Sequence, residues 1–366
     1  MKKNQNTDSA QGHDGLVSPT DTGILDALRI LRVLATLAVV LGHSAGIFGG
    51  LNYTQWPQYP YIQSSAVVLF FGISGATIAW VLASRNQGFV KFIFDRYMRL
   101  VVPLVPALIL AALVDYYAFG ASHPYLANFT PFQFFTNLNF TQGLPPLGVE
   151  SFGTMRPLWT ISIEFWVYVF FGGLFVALRP TGGGKAIAFL ASILAIALLN
   201  SHIFGGHGFG LPIIWLLGAG SYFVLRQIPT LSPRSLLFLM PSFLFVIAAL
   251  RNPGYFPENG EYSGIHNLLI FVFFFMVTLF LSKVTIPAPI NRIFDFLSGF
   301  CYTAYLIHYT ILLAASQLQL MPRGSLTAVI FTGICMLAAW ALSIPFEARY
   351  KIYRNYIWNA LRRATR

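Results

Sequence analysis

Charge is scarce in this sequence. Asp, Glu, Lys and Arg make up 10% of 366 residues, against about 25% in an ordinary soluble domain. A chain so poor in charge cannot clothe a water-facing surface, so a soluble globular class is excluded. Cysteine is nearly absent. Its two copies, Cys301 and Cys335, both sit in apolar runs. That excludes a disulfide framework and leaves no zinc spacing. The seven histidines are scattered and form no H-E-x-x-H pair, so no metal is expected. No small-residue cleavage site follows the first apolar run. That run therefore reads as a membrane helix rather than a cleavable leader. No repeat of fixed period is visible.

What fills the sequence instead is apolar. Hydrophobic residues reach 56%, with 35 phenylalanines. Ten runs are long enough to be membrane helices: 24–48, 62–84, 100–119, 158–178, 186–203, 209–225, 236–250, 264–281, 296–318 and 325–346. The predicted fold is an all-α integral membrane bundle of about ten transmembrane helices. Three regions divide the chain: a polar, disordered tail over 1–23, a transmembrane domain over 24–348, and a basic tail over 349–366 that reads as an interfacial helix.

The net charge is +11. In a soluble protein that excess would suggest nucleic acid. Here the basic residues flank the apolar runs, so they report orientation, and no nucleic-acid partner is expected. Of the 23 lysines and arginines, the outer connections would hold only Arg156, Arg251 and Arg323. The positive-inside rule then puts both termini in the cytoplasm. The longest outer connection, 120–157, is rich in Phe, Asn, Pro and Gly, and is long enough to act as a lid or bind a partner.

A few polar residues break the apolar runs. Arg32 and His43 lie eleven positions apart in LRVLATLAVVLGHS. Eleven helical steps come to about 1100°, three turns plus roughly 20°, and about 16 Å of rise. Both side chains therefore share one helical face. Ionisable groups inside a membrane helix are costly and point to a cavity. A ligand bridging them must be long, with its anionic end at Arg32. Coenzyme A thioesters have that shape. Arginine grips phosphate through paired hydrogen bonds, and histidine, titrating near neutrality, suits acyl transfer. The bland alternative has Arg32 snorkelling to the interface and His43 packed on a carbonyl.

A second pair, Arg96-x-x-Arg99, lies at the inner entrance to the third run. Its i,i+3 spacing suits a phosphate clamp, although inner-end arginines also follow from the orientation rule alone. A third set is Ser162-x-Glu164 in PLWTISIEFWVYV. Such a carboxylate needs a partner, and it could orient His43, pair with an arginine or accept a substrate hydroxyl. His308, in AYLIHYTIL, reads as a hydrogen-bonded structural histidine. Asp115 reads as reaching water at an outer helix end. Gly72, Ser74 and Gly75 in FFGISGA read as a close helix crossing. The short Gly182–Lys185 turn lacks the spacing of a phosphate loop.

These stretches together resemble the membrane acyltransferase 3 family. Arg32 and His43 match its arginine, ten residues, histidine motif in helix one. Arg96 and Arg99 match its R-x-x-R after helix two. FFGISGATI is similar to FF-x-x-SG. Leu158, Trp159, Ser162, Glu164 and Tyr168 match L-W-S-L-S-x-E-x-x-x-Y, and Tyr305 to His308 match Y-L-I-H. Two departures stand out. Phe165 occupies the place of a second acidic residue, and Arg29 ends the stretch similar to L-D-x-L-R, so it rivals Arg32. The resemblance implies O-acylation of a carbohydrate or other hydroxyl acceptor, with acetyl-CoA as the usual co-substrate, in a bacterial inner membrane. It implies a stand-alone form lacking the periplasmic esterase-like domain of some members. Arg32, Arg96 and Arg99 would bind the donor's phosphates. His43 would act as general base or carry the acyl group. Glu164 and Ser162 would orient it or the sugar. A transporter or flippase of an anionic amphiphile is the competing class, since buried cations and proline-broken helices suit it too.

Overall fold

The computed structural model describes residues 18–51, 62–85, 87–119, 124–179, 184–204, 208–227, 241 and 264–364. Most of the polar tail and most of the 236–250 run lie outside these residues. Among the described residues the chain is helical, with no strand.

The first helix, α1 (Pro19–Phe48), starts earlier than its apolar run. Ser18 caps it by accepting from the Asp21 amide at 3.1 Å, and Pro19 opens the first turn. A capping hydroxyl followed by proline is a strong start signal. Gly49, at φ 68°, ends it in the left-handed conformation. Next come α2 (Ile62–Ser84) and α3 (Phe89–Ala118). The basic connection before residue 100 is helical rather than loop, because α3 extends back to Phe89. Lys91 and Asp95 pair across one turn of that extension, which supports a helix. Arg96 and Arg99 are therefore fixed on a rigid helix.

The 120–157 connection is partly ordered by a short helix, α4 (Pro131–Leu138), and two 3₁₀ turns. Asp115 anchors it. Its carboxylate is fully buried and accepts from the Thr154 amide at 2.9 Å and the Thr154 hydroxyl at 2.7 Å. Asp115 thus faces protein, not water, because the connection folds back over the end of α3.

The chain continues through α5 (Leu158–Ala177), α6 (Lys185–Phe204), α7 (Leu211–Gln227) and α8 (Gly264–Leu281). The expected run over 296–318 is instead a bent pair, α9 (Ala288–Ser298) and α10 (Cys301–Gln317), meeting at 55°. The last two helices are α11 (Ser325–Ser343) and α12 (Tyr350–Ala364). Among the described residues five helices are long and apolar enough to cross a membrane, or six if the bent pair is one span. α6 turns Ile187, Leu190 and Leu194 outward, an apolar surface that suits lipid rather than water.

α1 is the hub, packing against α2, α7, α8, α9, α10 and α11. Beside it α2 and α7 cross closely through glycine. A Cβ on Gly75 would fall on the Trp215 carbonyl, and one on Gly218 on the Gly72 carbonyl. Small residues permit such backbone contact in membrane bundles. Gly75→Ala is therefore expected to force α2 and α7 apart and cost about 1–3 kcal/mol. A thermal melt of the purified protein checks this, and Gly333→Ala is the control, since open space surrounds Gly333.

Candidate active site

One cavity of about 260 Å³ lies between α1, α2, α3, α5 and α10. Arg32, Arg96, Arg99 and Glu164 all line it. On α2 its wall runs from Val67 to Ile78, eleven steps, or about 16 Å. The fold brings the three arginines to one cavity although α1 and α3 are far apart in the chain.

The arginines differ in how they are held. Arg99 donates to Glu347 Oε1 at 3.0 Å. Arg32 has only a long contact, 3.5 Å, to the Thr77 hydroxyl, beyond good hydrogen-bond range. Arg96 leaves its Nε buried without a partner. Among the described residues neither Arg32 nor Arg96 has a carboxylate in salt-bridge range, although Glu164 and Glu347 line the same cavity. Buried cations of this kind call for an anion. Arg29 is different. It pairs with Asp26 at 2.5 Å and Asp295 at 3.0 Å, tying α1 to α9, and does not line the cavity.

Ser162 and Glu164 part company. Two helical steps are about 200°, so the two side chains point to opposite sides of α5. Glu164 faces the cavity, where it accepts from the Ser74 hydroxyl at 2.7 Å and from the Tyr168 hydroxyl. Trp215 Nε1 donates to Ser74 Oγ at 3.2 Å and steadies it. Ser162 is fully buried on the other side and donates to the Phe140 carbonyl at 2.5 Å. It anchors the 120–157 connection and lies outside the cavity lining. Phe165, in place of the second acid, packs on Phe140 with ring centroids 4.7 Å apart.

Thr160, Phe70 and Tyr305 line one end of the cavity. The Tyr305 hydroxyl shares a 2.6 Å hydrogen bond with Thr160, and its ring meets Phe70 edge-on at 5.9 Å. One turn further along α10 stands His308, fully buried. His308 Nε2 lies 3.0 Å from His43 Nδ1. His43 does not line the cavity itself; it lies behind this end wall, next to His308, whose ring neighbours Tyr305.

Two groups were not singled out from sequence. Glu347, 2% exposed, lines the cavity and accepts from both the amide (2.8 Å) and hydroxyl (2.7 Å) of Thr303, besides Arg99. Its signal was a lone carboxylate in SIPFEARY, just beyond the last apolar run. Tyr168 enters the sequence reading only as part of a motif, yet it is one of the two hydroxyls that hold Glu164.

Residues 25–344 match the family model described as an acyltransferase domain, acyltransferase 3. Searches of curated proteins and of solved structures returned no match. The match covers nearly the whole chain and includes every residue of the cavity except Glu347. This chain therefore belongs to the acyltransferase 3 family, multi-pass membrane proteins that transfer an acyl group to a hydroxyl.

Proposed function

We propose that the chain moves an acyl group, most simply acetyl, from acyl-CoA to a hydroxyl of a carbohydrate or glycolipid acceptor in the bacterial inner membrane. The reading includes ten membrane helices with both termini cytoplasmic, which the distribution of Lys and Arg supports. One observation carries it: Arg32, Arg96 and Arg99 converge on a cavity whose wall includes Tyr305, one turn from His308 and its partner His43, and among the described residues two of the three have no carboxylate in salt-bridge range.

In this reading the donor's phosphates take the arginines, whose planar forks give paired, charge-assisted hydrogen bonds. The thin thioester arm follows the cavity wall along α2 toward Thr160 and Tyr305. Glu164, held by Ser74 and Tyr168, is positioned beside that arm. His43 removes the proton of the acceptor hydroxyl as its oxygen attacks the thioester carbon. The tetrahedral intermediate collapses, the carbon–sulfur bond breaks, and the thiolate takes the proton from His43. Thiol and ester are the products, and His43 is regenerated.

The test is direct binding of coenzyme A to protein in nanodiscs. Arg96→Gln and Arg32→Gln are each expected to weaken binding by about 10- to 100-fold, since a hydrogen bond to a charged group contributes roughly 1.5–3 kcal/mol. Arg29→Gln should leave binding within about threefold, because Arg29 serves Asp26 and Asp295. Equal affinity in wild type and both cavity variants would remove the donor site from this cavity.

A further inference from the structure

We infer that His308 is the positioning residue that fixes which nitrogen of His43 carries the proton. The inference deepens the proposed role of His43 and rests on it for its catalytic consequence, though not for its geometry.

Two backbone carbonyls hold the His308 ring. His308 Nδ1 lies 2.8 Å from the Tyr305 carbonyl and 3.1 Å from the Ala304 carbonyl. A carbonyl oxygen only accepts, so His308 Nδ1 carries a proton. In the neutral ring Nε2 then has a bare lone pair. That nitrogen is 3.0 Å from His43 Nδ1. With an acceptor on the His308 side, His43 Nδ1 must donate. The neutral His43 ring therefore holds its proton on Nδ1 and presents an unprotonated Nε2.

Ring geometry agrees. The two imidazole planes differ by 27° and their centroids are 5.1 Å apart. That separation exceeds the N···N distance by two ring radii, as an edge-to-edge hydrogen bond requires. Tyr309, the residue after His308, meets His43 edge-on with centroids 5.1 Å away and planes at 85°. α10 thus constrains His43 twice, through a hydrogen bond and a ring contact. His308 itself is held by the helix's own carbonyls one turn back, and it is fully buried, so it cannot rotate to serve another partner.

The consequence follows from proton accounting. A base must offer a lone pair to the hydroxyl it activates, and only Nε2 of His43 has one. When Nε2 takes the proton, the resulting imidazolium keeps its Nδ1–H bond to His308. Transfer of that proton to the departing thiolate restores the starting tautomer. His308 gains and loses nothing. In soluble triads a carboxylate plays this part, and second-sphere partners of metal-bound histidines act alike. A neutral imidazole does it here without placing a further charge inside the bundle, where an isolated carboxylate is expensive.

The test reads protonation directly. Nitrogen-15 histidine is incorporated and solid-state NMR recorded on protein in nanodiscs, with His43→Gln identifying the His43 signals. Wild type is expected to show a protonated Nδ1 and a bare Nε2 on His43. His308→Leu removes the imidazole acceptor and leaves only the Val39 carbonyl, one turn back on α1, near the ring, so the Nε2–H tautomer of His43 should gain population. The turnover of that variant should fall between about 10²- and 10⁴-fold, the range for lost orientation of a catalytic or ligating histidine, with donor KM within about twofold. His308→Gln, whose amide oxygen can accept near the Nε2 position, should recover part of the loss. A proton on Nε2 in wild type would overturn the inference, and so would an unchanged tautomer in His308→Leu. Should His308→Leu fail to fold, the wild-type spectrum alone decides. Loss of the His43 role in transfer, with the tautomer as expected, would count against the proposed reaction and not against His308.

Discussion

Replacing His43 with alanine is expected to lower acyl-transfer turnover by about 10²- to 10⁴-fold, the usual contribution of a positioned general base. Coenzyme A affinity should stay within about threefold. The split follows from the geometry. His43 stands beyond the Thr160–Tyr305 end of the cavity and does not line it, so its removal leaves every arginine contact in place. Truncation also leaves His308 Nε2 without its partner, but His308 keeps its two carbonyls. The fold should therefore survive, and turnover measured against binding on the same preparation separates the two effects. A parallel loss of binding and turnover would mean that His43 belongs to the donor site instead.

Glu347→Ala should be the most damaging single change to stability. Glu347 is one carboxylate with three donors. One oxygen takes Arg99 at 3.0 Å, and the other takes the Thr303 amide and hydroxyl. Thr303 lies in the first turn of α10, just after the 55° bend. Amides at a helix start have no partner inside the helix and attract an anion. Removing the buried carboxylate strands a helix-end amide and takes the counter-charge from Arg99, whose side chain is half-buried in the cavity wall. Breaking a buried pair from one side costs about 3–5 kcal/mol. A marked drop in the melting midpoint is expected, together with a raised donor KM as Arg99 loses its place. Glu347→Gln retains an acceptor for Thr303 and should fall between the two. A melting curve for Glu347→Ala that overlies wild type would show that the carboxylate does not brace the bend.

The cavity arginines were legible in the sequence because the background is so apolar. Against it Arg32, Arg96 and Arg99 each stood out, and the eleven-residue step to His43 gave a direction. What sequence could not supply was pairing over distance. Glu347 meets Arg99 across 248 positions, and His308 meets His43 across 265; no local pattern encodes either. Ser162 and Glu164 were read as one unit because a motif joins them, whereas about 200° of helix turn separates them. Arg29 looked equivalent to Arg32 until Asp26, Asn291 and Asp295 were seen around it. Helix limits were least visible where charge interrupts an apolar run. The stretch before residue 100 looked like a loop from its lysine and arginines, but Lys91 and Asp95 pair along a continuous helix.

The account rests on a thioester held by arginine and attacked near His43. The measurement that tests it most directly follows isotope-labelled acetyl-CoA, supplied with a mixture of glycan acceptors to protein in nanodiscs. Free thiol and labelled ester are counted together. Wild type should release thiol and form acetyl ester in equal amounts, while His43→Ala does neither above background although it still binds coenzyme A. Equal thiol release by wild type and His43→Ala, or vesicle uptake of the donor with its thioester intact, would contradict the account and favour a transporter.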